Sequence, residues 1–552
     1  MVRERRFGLR DLWGIPLEWL SSLNARMSGS LNQERWANVL ILVSLILVNL
    51  MLLLLIVSGQ ENYAIVYSML IILAPLMFLV PEISITLFIS AGAGLFVNTA
   101  YYVAGPGGGT GERTLTLFFL AVLSVRAIYE YFQIPKDRRP RVFSWFISVM
   151  LIFWCYYIAH VIYIYLFRYD YIPTDRVDVI LGFYRRVLLR FFDAHMLWIG
   201  ILPLIVLLRD FQRARRVLFI LGTVIFLCVG SVIWEYLAPL PEFWKVVFLL
   251  RVAGETTEGY RVRDPVAIYL IVFGFFFAIF SLGYFRWRIT FIMLVYIALA
   301  SYAIMITKNR ALWAGILAFL PLALLWKPPV VLVRQAQIAL VGVIVSLSLT
   351  LHPTVSEVAS RIWLEAVQRW ERNYAYGGDP RLDPSYQARV REKEAWEYKM
   401  QKANFYQRLI GFGLEEPYGR FVPLYDYGAA YQNPRFQRTY LEKTDMHFAW
   451  LARQLHIGWI GTGLLALVLV AFFVRAGQAF FATRDPFVRS LLMGLVGATI
   501  SVIAYDMIHS DVFDDKSSLP IILLWAVCEA VFYWRQTGQI ESNPRGVASI
   551  VE

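Results

Sequence analysis

The chain has 552 residues, 59% of them hydrophobic and 17% charged, with a mean hydropathy of +0.56. That balance excludes a water-soluble globular protein of this length and leaves a polytopic membrane protein. The formal net charge of +12 suits an anionic lipid surface or a phosphorylated substrate, whereas nucleic acid is set aside because the sequence offers no soluble basic domain to hold it.

Residues 1–36 are basic and amphipathic without a cleavable signal pattern, and are predicted to lie along the inner membrane surface. The apolar runs that follow are roughly 17 to 25 residues long, enough as helices to cross about 30 Å of hydrocarbon. They lack the alternation of an outer-membrane barrel. Spans are predicted at 37–57, 64–80, 84–104, 114–133, 142–167, 194–208, 217–237, 265–284, 289–306, 311–326 and 336–351, then at 447–474, 490–508 and 519–534, about fourteen in all. The expected fold is an all-α polytopic bundle. It divides into a cytoplasmic N-terminus (1–36), a bundle of about eleven helices (37–351), one large helical outer loop domain (352–446), three further spans (447–534) and a cytoplasmic tail (535–552).

Several local features read without further context. The stretch GPGGGTGER, 105–113, lacks the GK[ST] ending of a phosphate loop and is predicted to be a flexible turn. Arg126 and Glu130, spaced i to i+4 within a span, are expected to pair. Cys155, Cys228 and Cys528 lie in apolar runs and read as packing residues. Lys and Arg in short loops mark the cytoplasmic side, which places 135–141, 209–216, 285–288, 327–334 and 475–489 inside. The connection 168–192 is an exception, for it falls outside yet carries Arg185 and Arg186 within a predicted interfacial helix.

The segment from His352 to Asp445 is the one long hydrophilic insertion, with helical spacing in 360–373 and 386–416. Its Trp, Tyr and Arg content matches either a surface for sugar rings and oxyanions or the core of a small cap domain. Three basic sites fall on this same outer face: Arg251, Arg261 and Arg263 before the eighth span, Lys308 and Arg310 in the tight turn TKNR, and His447 at the mouth of the twelfth span. No acidic residue flanks Arg310 in its turn, so a ligand phosphate is its expected partner. The acidic group Asp511, Asp514 and Asp515 reads as a solvated turn.

The stretch HFAWLARQLHIGWIG, with His447, Leu451, Gly458 and Gly461 in register, resembles the signature of the O-antigen ligase and O-antigen polymerase superfamily. TKNRALW is similar to that family's span start, with Arg310 in place. RVAG, 251–254, and the GFG ending at Gly413 resemble two further motifs. Phe448 stands where the family usually has Asn. The resemblance covers roughly 217–475 and implies a C-type, all-helical glycosyltransferase of the bacterial inner membrane, its active site facing the periplasm, with no metal and no cofactor. The implied donor is a glycan on undecaprenyl diphosphate. The implied acceptor is a sugar hydroxyl on a second lipid-linked glycan (polymerase) or on lipid A-core (ligase).

The residue chemistry fits that implication. Fixed guanidinium groups stabilise charge on a departing diphosphate, a role assigned to Arg251 and Arg310. An imidazole suits removal of the acceptor proton near neutral pH, a role assigned to His447, which could equally hydrogen-bond the diphosphate as an imidazolium. Arg261, Arg263, Lys308, Arg185, Arg186 and Arg408 are the candidates for holding diphosphate and glycan. A flippase for lipid-linked oligosaccharide is the alternative of another class, weakened by the lack of two similar halves.

Overall fold

The computed structural model describes residues 73–92, 109–136, 139–167, 196–237, 252–256, 259–262, 268–282, 284–285, 287–307, 310–325, 384–413, 448–507 and 518–540, with isolated positions between 333 and 364. Among them the chain is helical apart from one β-hairpin. Helices α1 (Leu73–Leu79) and α2 (Pro81–Gly92) meet at a bend of 116°, where the sequence predicts the turn between its second and third spans. The others are α3 (Gly109–Gln133), α4 (Trp145–Phe167), α5 (Ile201–Leu207), α6 (Phe211–Leu237), α7 (Ile268–Ser281), α8 (Trp287–Ile306) and α9 (Arg310–Leu325), then α10 (Pro384–Lys402), α11 (Phe405–Ile410), α12 (Ala449–Ala482), α13 (Pro486–Asp506), α14 (Leu519–Leu524) and α15 (Ala526–Gln536). Strands β1 (Val252–Thr256) and β2 (Gly259–Val262) pair antiparallel between α6 and α7.

Five of these helices are long and apolar enough to cross a membrane, or six if the bent pair counts as one span. Leu197–Leu207, Ile268–Ser281 and Leu312–Pro321 add shorter apolar helices or parts of them. The first predicted span, 37–57, lies outside the described residues, as does almost all of 336–351. One turn needs correcting. The glycine-rich stretch 105–113 enters helix at Gly109, because the first N–H groups of a helix lack intrahelical partners anyway and glycine there costs little.

Local chemistry explains where several elements begin. Asp485 caps α13, its Oδ1 accepting from the Phe487 and Val488 amides at 2.9 and 3.1 Å, with Pro486 opening the first turn. Asn404 and Gln407 form a reciprocal capping box on α11. Packing then relies on small residues, as expected where lipid removes the hydrophobic drive between helices. Gly497 of α13 admits Phe276 of α7 and Phe319 of α9, while Gly315 of α9 lies against Ser501 and Ala504 of α13. Large apolar side chains such as Phe132, Trp287, Phe291 and Leu317 point outward, the pattern of a surface facing lipid rather than water.

These contacts give the bundle two distinct ends. At one, the loops around 134, 209, 285, 484 and 538 meet. Trp534 donates its indole N–H to the Leu208 carbonyl at 2.8 Å, Gln539 accepts from the Phe211 amide at 2.7 Å, and Phe487 packs on Phe211 and Phe277. These are the basic loops that the sequence places together on one side. At the other end, Phe319 beside Gly497 and Gly315 beside Ser501 make α9 antiparallel to α13, so Arg310, first in α9, starts level with Asp506, last in α13. Tyr505 packs on Tyr269 in the first turn of α7, and β2 rests on α6.

Candidate functional site

The broken helix α12 organises this second end. Gly458 takes φ +69° and ψ −173° inside an otherwise helical run, a conformation open in practice to glycine alone. The break interrupts the carbonyl ladder, and an incoming segment takes up the carbonyls. The Phe412 amide donates to the Leu455 carbonyl at 2.7 Å, and the Gly413 amide donates to the His456 carbonyl at 3.0 Å. Gly411 crosses Gly458 directly, itself at φ +86°, and a methyl on either glycine would overlap the other's backbone. The chain passes here only because both side chains are absent.

Helix α4 locks the crossing from the third side. Tyr156 donates its hydroxyl to the Ile457 carbonyl at 2.6 Å. His160 Nε2 lies 2.8 Å from the Ile410 carbonyl, an arrangement that makes it the protonated ring nitrogen. Gly461 leaves room for the Tyr156 ring, which a methyl there would meet at 2.7 Å. A small core of Ala395, Met400, Phe412, Ala452 and Leu455, with Trp396 and Leu451 against it, seats α10 on the start of α12. In α10 the buried Lys399 places its ammonium 4.6 Å from the Phe412 ring centroid.

One full ion pair lies beneath this platform. Arg453, in the second turn of α12, grips Asp506 bidentately: Nη2 donates to Oδ1 at 2.8 Å and Nη1 donates to Oδ2. Both are essentially inaccessible, at 2% and 0% exposure, so the pair is held in a low-dielectric setting where either partner alone is costly. Trp450 stacks over the guanidinium at 5.5 Å. The pair fixes the first turns of α12 relative to the end of α13, and therefore relative to the start of α9.

The sequence-predicted residues distribute unevenly over this frame. His447, Arg251, Arg263, Lys308, Arg185 and Arg186 lie outside the described residues. Arg310 opens α9, and Arg261 sits on β2 in register with Ala253; only their backbone places are described. Arg408 is exposed, and its guanidinium donates to the Met400 and Gln401 carbonyls at 2.9 and 3.0 Å, which ties down the C-terminus of α10. The motif glycines Gly413, Gly458 and Gly461 come together at the crossing. The start of α9 and the start of α12 share one end of the bundle.

Sequence reading passed over Tyr156, His160, Arg453 and Asp506. A charged or imidazole side chain within an apolar run was the available signal for three of them. Among the described residues no group of three or more His, Cys, Asp or Glu is gathered to hold a metal.

At the opposite end a second ionic group forms. Glu130 accepts from Arg126 at 3.0 Å and from Arg213 at 2.8 Å, with Arg209 at 3.5 Å, while the fully buried Glu82 faces Arg216 at 3.2 Å. The expected Arg126–Glu130 pair is thus present as part of a larger lattice. Nearby, Arg475 holds Glu529 through two contacts of 2.7 Å, and Ser144 donates to the same carboxylate.

No protein-family model matches the chain, and a search of curated proteins returns no significant match.

Proposed function

We propose that the protein is an inverting glycosyltransferase that moves a glycan from undecaprenyl diphosphate to a sugar hydroxyl on the outer face of a bacterial inner membrane, without a metal. The observation that carries this reading is the crossing at Gly411 and Gly458. Two motifs of the resembled family, far apart in sequence, hydrogen-bond to one another there, on the end of the bundle where α9 begins with Arg310. The Arg453–Asp506 pair supports the reading from below, since it keeps the start of α12 beside the end of α13.

In this mechanism the acceptor hydroxyl oxygen attacks the anomeric carbon from the face opposite the diphosphate. The new C–O bond forms as the old one breaks, the electron pair leaves on the diphosphate oxygen, and the anomeric configuration inverts. Arg310 and Arg251 meet the growing charge through forked N–H donors. His447 takes the acceptor proton. Lys308, Arg261, Arg263, Arg185 and Arg186 supply further positive charge for the diphosphate and glycan, and the aromatic segment 352–446 offers ring faces to a growing chain. That last feature favours a polymerase over a ligase, for which the acceptor would be lipid A-core.

The test is turnover in detergent, where a flippase has no second compartment to fill. Purified protein with an undecaprenyl-diphosphate glycan should release undecaprenyl diphosphate and lengthen the glycan. Arg310→Ala and His447→Ala should each lower the rate by roughly 10²-fold or more, and Arg310→Lys should remain poor because a point charge does not reproduce the fork. As a base, His447 predicts a rate that rises with pH through about 6.5, whereas an imidazolium bound to diphosphate predicts the reverse.

A further inference from the structure

A groove of about 450 Å³ opens on the outside of the bundle between α6, α7 and α8, well away from the glycine crossing. One wall is Phe219, Gly222 and Phe226 of α6, the other is Ile289, Ile292 and Tyr296 of α8, and Gly274 of α7 forms part of the floor. Its lining is hydrocarbon in effect. The Tyr296 hydroxyl is spent on the Ile271 carbonyl at 3.0 Å, and the Thr223 hydroxyl on the Phe219 carbonyl at 3.1 Å. The other polar side chain in the lining is Arg215, at the end where the basic loops gather. There its guanidinium stands over Phe211, while the neighbouring Trp287 is exposed, as expected of an aromatic side chain at the level of lipid headgroups.

The dimensions choose the occupant. From Arg215 to Phe226 the groove follows eleven residues of α6, or about 16 Å at about 1.5 Å per residue. That equals half of a hydrocarbon core of about 30 Å. We infer that this groove binds one anionic phospholipid of the adjacent leaflet, an acyl chain lying between α6 and α8 and the phosphate at Arg215. The charge at one end and the dry lining beyond it match the two halves of that molecule. Phe219, Phe226, Phe291 and Ile292 stay partly exposed along the rims, where the second chain and neighbouring lipids would cover them.

Gly222 gives a clean test, because it lines the groove and a Cβ added there meets nothing within 4 Å. Gly222→Leu adds hydrocarbon at the groove wall from a position with room for a Cβ, and it replaces a poor helix former by a good one. Delipidated protein is titrated with phosphatidylglycerol or phosphatidylcholine and bound lipid is read by native mass spectrometry. Wild type should retain phosphatidylglycerol, and Gly222→Leu should weaken retention about tenfold through loss of a few methylene contacts. Arg215→Gln should erase an approximately fivefold preference for the anionic lipid. A phosphatidylglycerol with a photoactivatable chain should label peptides covering 218–226 and 289–296. Wild-type retention by Gly222→Leu with unchanged thermal unfolding, or labelling confined to other helices, would overturn the assignment.

Discussion

The two ends of the bundle are held by different physics. At the loop end, Arg126, Arg209, Arg213 and Arg216 surround Glu82 and Glu130, and α6 is tied to α2 and α3 by charge. At the site end two glycines cross, amides of 412 and 413 bond to carbonyls of α12, Tyr156 and His160 bond to carbonyls at the crossing, and the buried ion pair Arg453–Asp506 lies beneath. A charge lattice tolerates small shifts, since several donors share each carboxylate. A glycine crossing does not, since its geometry is fixed by the absence of Cβ atoms. The site end is accordingly the better platform for holding groups from separate helices at set distances, and the loop end is the better anchor.

Substitutions should separate the two kinds of contact by the size of their effect. Gly458→Ala is expected to be the most damaging, at about 5 kcal/mol, combining backbone strain of about 3 with overpacking of about 2. Thermal unfolding in detergent would show it, and a near-native midpoint would mean that the crossing is not as tight as described. Asp506→Ala, which strands a buried guanidinium, should cost about 4 kcal/mol. Replacing both members by leucine should recover much of that loss, whereas an additive double mutant would argue against a direct pair. Arg213→Ala should cost less, about 2 kcal/mol, because Arg126 and Arg209 still neutralise Glu130. Tyr156→Phe removes one hydrogen bond to the kink and should cost about 1 kcal/mol, with activity falling more than stability if the kink positions the site.

Much of this architecture was open to reading from the sequence, and the rest had a physical reason to stay hidden. Spans such as 142–167, 289–306 and 490–508 announce themselves by length and hydropathy, and the structure places helices there within a few residues. Arg126 and Glu130 were legible because a helix brings i and i+4 together. Arg453 and Asp506 were not, because nothing local links residues 53 apart. The break at Gly458 was equally silent, since HIGWIGTG reads as uninterrupted helix and only the approach of Gly411 makes the left-handed φ useful. For the chemistry, residue types supplied the candidates His447 and Arg310, while the structure supplies the frame they would act from.

The most direct test of that account is release of undecaprenyl diphosphate by purified wild type and Arg310→Ala, each folded to the same thermal midpoint. The account predicts release coupled to glycan growth in wild type and a rate lower by roughly 10²-fold in the variant. Equal release by both proteins would contradict it.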